Sequence, residues 1–113
     1  KDVPCITMIR DKLPLIFSNK ATKLHAEINW YYDLGKCYIG FHGDTERRIV
    51  ICIRLGSDFP IHYQWYHNSN PVGKKFSKVL KHGDIYAMSS KAVGFDWKSR
   101  SKLTLRHAAG VDI

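Results

Sequence analysis

His42-Gly43-Asp44 places an imidazole and a carboxylate two residues apart. On an extended segment, residues i and i+2 point to the same side. One ring nitrogen and one carboxylate oxygen can therefore converge on a single ion. Mixed nitrogen and oxygen ligation with positions left open suits Fe(II) oxygenases that use two histidines and one carboxylate. The bland reading of the same residues is a turn, with Gly43 and Asp44 as turn formers.

Five other histidines compete for attention: His25, His62, His67, His82 and His107. His25 opens an apolar stretch and reads as a buried, hydrogen-bonded ring. His62 and His67 flank Tyr63, Gln64, Trp65 and Tyr66, aromatics that could stack on bases or simply pack, as strands collect aromatics anyway. His82 belongs to a His-Gly-Asp turn and caps it. Lys74, Lys75, Lys78 and Lys81 form either a phosphate-contacting patch or a solvated face. The sequence has no phosphate-cradling P-loop and no GxSxG nucleophile elbow. Cys5, Cys37 and Cys52 are odd in number and lack CxxC spacing, which argues against a zinc knuckle or a disulfide framework. Cys37 and Cys52 read as core thiols, and free thiols fit a reducing, intracellular compartment.

The elements that must position these groups are short and strand-like. Residues 25–32, 37–41, 48–55, 60–66, 85–88 and 103–105 are β-branched or aromatic runs, separated by Gly, Asp and Asn turn signals. Even spacing of this kind argues for an all-β sandwich, jelly roll or barrel with few short helices. Residues 76–81 are the best helix candidate, with Phe76, Val79 and Leu80 on one face, and 68–73 reads as an exposed loop. The 113 residues fit a single domain, 1–113. Residues 1–10 lack the pattern of a signal peptide, and no apolar run approaches a membrane span. The formal charge of +8 favours a polyanionic partner, nucleic acid before membrane.

Residues 30–46 (WYYDLGKCYIGFHGDTE) resemble the signature of the AlkB-like oxygenases: an aromatic strand, a turn, an "IGxHxDxE" stretch, then a strand ending in "LG" at Leu55-Gly56. Residues 80–88 are similar to the family's "L.HGDLxxM" segment, and 100–106 (RSKLTLR) to its RxNxTxR pattern. The likeness runs from about residue 29 to 108, and the stretch 91–97 (KAVGFDW) is typical of relatives in large DNA viruses and protists.

This resemblance implies a double-stranded β-helix (jelly roll), Fe(II) and 2-oxoglutarate, and oxidative demethylation of alkylated nucleic acid by a monomer. His42 and Asp44 would bind the metal. Tyr32, Arg100, Lys102, Thr104 and Arg106 would bind the co-substrate. An alternating strand would place positions 100, 102, 104 and 106 on one face, and a guanidinium is shaped for a carboxylate. The family's second metal-binding histidine is expected at Trp97 or Lys98, where none stands. Asp96 could replace it, or His107 could, although its neighbour Arg106 would then face the other way. The third option is a degenerate site. Lys102 stands where the family has asparagine, Trp30 where it often has another, and the substrate lid ahead of the core is short or missing. The alternatives are a non-catalytic nucleic-acid-binding relative, or an oxygenase acting on a protein side chain.

Overall fold

The computed structural model describes residues 4–22, 24–111 and 113. The chain divides into two compact units, Lys1–Trp30 and Tyr31–Ile113. In the first, a helix α1 spans Pro4–Phe17, and a 3₁₀ turn follows at Asn19–Ala21. Pro4 suits a first helical position, where its missing N–H is no loss, whereas Pro14 lies inside the helix. Ser18, at φ 88°, ends the helix, and its side chain accepts from the Lys20 N–H. Residues 25–32, expected as a strand, form none, and His25 is exposed rather than buried.

Among the described residues, six strands form, all in the second unit: β1 (Ile39–His42), β2 (Val50–Ile53), β3 (Phe59–His67), β4 (Asn70–Leu80), β5 (Ile85–Met88) and β6 (Thr104–Ala109). A single helical turn, α2 (Ser90–Val93), precedes β6. One sheet is ordered β1-β6-β3-β4 and the other pairs β2 with β5, all antiparallel. The unit is thus mostly β, as the spacing of the runs led one to expect.

Two expectations fail on one hairpin. Residues 76–81 are not helical, since β4 runs on through Leu80, and 68–73 is not a long loop. Asn68 and Ser69, at φ 51° and 65°, form a two-residue turn between β3 and β4. Positive φ at both central positions is the hairpin geometry that matches strand twist. Cross-strand pairing then overrides the weak helical spacing of Phe76, Val79 and Leu80.

Side chains from both sheets share one interior. Cys52 and Tyr86 face each other across β2 and β5. Burial raises the Tyr63 phenol to about 12, with Cys52 adding to it. Tyr86 is raised by burial, by its hydrogen bond to Cys52, and by Tyr63 and Tyr31. The Tyr31 ring lies 4.4 Å from that of Phe59. Buried Phe59 and Ile61 of β3 and Met88 of β5 complete this core. On the other face of β3, buried His62 bonds Ser77 Oγ and the Gly110 carbonyl, each at 2.7 Å. A carbonyl only accepts, so Nε2 carries the proton there and Nδ1 accepts from the serine.

Two outcomes follow for stability. Ser69→Gly removes a side chain from a left-handed position and is expected to stabilise by about 0.5–1 kcal/mol in urea denaturation. Below pH 10 both folded and unfolded chains keep the Tyr63 proton, and between 10 and about 12 only the folded chain does. Stability should therefore fall as pH rises through that window, and fall less steeply in Tyr63→Phe.

Candidate metal centre

β1 runs antiparallel to β6 with His42 directly opposite His107, and β6 pairs with β3 so that His107 opposes Tyr63. Tyr63 in turn opposes Phe76. Opposed residues on neighbouring strands share a face. Four rings therefore run in a row across the sheet, with centroid separations of 4.3, 6.4 and 6.2 Å. Asp44 follows β1 and turns its carboxylate toward the first two. Its Oδ1 is 3.9 Å from His42 Nε2, and its Oδ2 is 3.6 Å from His107 Nε2.

One ligand atom from each of His42, Asp44 and His107 lies within 4.8 Å of the others. Bonds of about 2.1 Å bring two donors on one ion to at most about 4.2 Å apart, so the observed nitrogen–oxygen separations fit. The tautomers fit as well. His42 Nδ1 is 2.8 Å from the Gly40 carbonyl, which can only accept. The proton therefore sits on Nδ1, and the Nε2 lone pair is left for the ion. The His107 pKa is lowered, first by burial and then by the His42 ring; the Asp44 carboxylate opposes this, and Arg47 lowers it further. A lowered value keeps the imidazole neutral, the form that binds metal. The site remains open to solvent, since the His42 and Asp44 side chains keep 30% and 27% of their exposure.

His42 and Asp44 thus stand together as their spacing suggested, and His107 joins them. The alternation rule was sound: His107 and Arg106 do point to opposite faces. The phase was reversed, because it took Arg106 to be the inward residue. Arg106 instead lies over the Tyr66 ring at 4.0 Å and the Trp97 ring at 5.1 Å, on the face away from the triad. Thr104 opposes Tyr66 on that same face and is buried. Arg100 and Lys102 are exposed in the turn before β6, which starts only at Thr104, so the alternation over 100–106 does not exist. Tyr32 is 76% exposed, and the tyrosine beside the interior Phe59 is Tyr31. Asp96 stands outside the triad and pairs with Lys91 at 2.8 Å.

Part of the signal for His107 was present, though not the face on which it lies. It is the one histidine after His82, and it lies in a run capable of forming a strand. The similarity of RSKLTLR to another pattern masked it. Cys52 lies near the centre, but burial raises its thiol pKa, so it is no ready thiolate. His82 Nδ1 accepts from the Gly56 N–H at 2.8 Å and ties two turns together far from the triad in sequence.

The chain is 63% identical over 89 residues to "Uncharacterized protein R156" of Acanthamoeba polyphaga mimivirus. The match covers 79% of this chain and 35% of that protein, so the chain spans about a third of the relative's length. No family model matches the sequence, and no solved structure matches it.

Removal of the buried ligand should be decisive. His107→Ala is expected to weaken Mn(II) binding, followed by titration calorimetry, by more than about 100-fold, beyond the 10–100-fold typical of losing an outer-shell partner. Asp96→Asn should bind as the parent does.

Proposed function

We propose that the second unit is a mononuclear Fe(II) centre of the 2-oxoglutarate-dependent oxygenase type, built on a jelly-roll scaffold. The observation that carries this reading is the convergence of His42, Asp44 and His107 on one side of the β1–β6 pair. Two neutral imidazoles and one carboxylate, with the remaining directions open, are the donor set of non-haem Fe(II) oxygenases. The strand order is compatible with the scaffold: β1, β2 and β3 alternate between the sheets, as do β4, β5 and β6, while β3 and β4 form a hairpin within one sheet. The AlkB-like spacing of residues 30–46 points the same way. Fe(II) in such a site, when bound, supplies a Lewis-acidic centre where dioxygen and an oxo acid can meet.

The residues expected to hold 2-oxoglutarate do not fit. Arg100 and Lys102 are exposed, and Thr104 and Arg106 lie on the far face. Arg47 is the guanidinium whose charge bears on both His107 and Cys52. Any carboxylate co-substrate therefore meets a different cation from the one the RxNxTxR likeness named.

Alkylated nucleic acid is the substrate class we favour, in an intracellular setting. Support comes from the charge of +8 and from β4, whose Lys74, Lys75 and Lys78 are exposed beside Phe76 and Val72. Interleaved cations and apolar groups suit a phosphate backbone and its bases.

Anaerobic titration with Fe(II) and 2-oxoglutarate tests the oxygenase reading. A visible charge-transfer band is expected, lost in His107→Ala and kept in Arg106→Gln. A folded protein that binds Fe(II) but gives no band would overturn the co-substrate assignment. Binding of a methylated oligonucleotide should weaken steeply with salt, and less steeply in a Lys74→Ala/Lys75→Ala/Lys78→Ala variant. Equal salt slopes would overturn the substrate assignment.

A further inference from the structure

Gly43, the residue between the two β1-side ligands, is pressed against the turn that follows α2. A methyl carbon placed on Gly43 would lie 2.4 Å from the Gly94 carbonyl oxygen and 2.5 Å from Trp97 Cγ. These contacts leave no room for any side chain. Gly94 meets it from the other side: its φ is +81°, and a methyl carbon there would come within 2.9 Å of Gly43 Cα and 2.7 Å of the Leu105 carbonyl oxygen. The Asp44 N–H donates to the Val93 carbonyl at 3.0 Å, and the Trp97 N–H to the Gly94 carbonyl at 3.0 Å.

Residues 93–97 thus contact the segment 42–44 at two points: Val93 at Asp44, and Gly94 with Trp97 at Gly43. Trp97 is held in turn. Arg106 lies over its ring at 5.1 Å and over Tyr66 at 4.0 Å. A guanidinium between two rings is a cation–π contact that fixes the plane of both. The two residues that the AlkB-like pattern would use otherwise, one at the missing histidine's position and one as a carboxylate clamp, meet here behind the site.

We propose that Trp97 is a positioning residue of the metal centre. Its ring is the plate against which Gly43 is seated, so that His42 and Asp44 are presented to one ion together with His107, and Arg106 mounts the plate. This rests on the metal-centre reading above. It goes beyond it by assigning work to two residues that touch no ligand atom, and by explaining why no larger residue fits between His42 and Asp44.

The test is Co(II) binding by the full chain, read by visible absorption, with circular dichroism and thermal melting alongside. The parent is expected to bind, and His42→Ala to lose binding. Trp97→Ala should bind about 10–100-fold more weakly, with an altered d–d band at saturating Co(II). Trp97→Phe should restore both, because a flat ring returns. Trp97→Leu fills space without a plane and should not. This last variant decides the matter if Trp97→Ala fails to fold. A Trp97→Leu protein with the parent's affinity and spectrum overturns the positioning role while leaving the metal centre intact. Absence of Co(II) binding in the folded parent overturns both.

Discussion

The pairing of β1 with β6 is the constraint on which the rest depends. It sets His42 opposite His107. A slip of one residue would turn either ring to the other face, because strand side chains alternate. The pairing is irregular between Ile39 and His42, where one strand carries an extra residue. Such a bulge re-aims a side chain at the end of a strand, and here it lies immediately before the ligand turn. β6 is pinned on its other side by β3 from Ile61 to Tyr66. His62 and the Pro60 carbonyl hold the end of β6 through Gly110. The register of His42 and His107 is therefore fixed by backbone pairing over three strands.

β6 then serves two different chemistries through its alternation. One face gives His107 to the ligand row, beside Tyr63 and its buried phenol. The other gives Thr104 and Arg106 to a packed layer with Tyr66, Trp97 and Phe41. An arginine on that second face is costly to desolvate unless something replaces water. The electron-rich faces of Tyr66 and Trp97 do so for the guanidinium face, while its buried Nε has no hydrogen-bond partner. The same side chain would have brought a second positive charge close to His107, on which Arg47 already bears.

Much of the β architecture was legible because β-branched and aromatic runs are a local signal. β5 was read at its true limits, and β1, β2, β3 and β6 within a few residues. The failures have physical causes. α1 contains Pro14 and has no acidic residue in its first turn, so its sequence carries poor helix signals. β4 mixes polar and apolar residues without alternating and is exposed up to Val79, so its pairing with β3, rather than its own composition, makes it a strand. That His42 and Asp44 stand together was legible from spacing alone. His107 was not, because the run Thr104 to Ala109 has no clean apolar–polar alternation. Nothing local sets its phase, and a pattern likeness set it wrongly. Only pairing with β1 tells which face of β6 is the ligand face.

The central claim is that His42, Asp44 and His107 bind one ion. Diffraction from crystals grown with Mn(II), collected at an energy where manganese scatters anomalously, tests it most directly. The expected result is a single strong anomalous peak about 2.0–2.3 Å from both Nε2 atoms and from an Asp44 oxygen. A peak bound by other residues, or none in well-ordered crystals with these three side chains resolved, would contradict it.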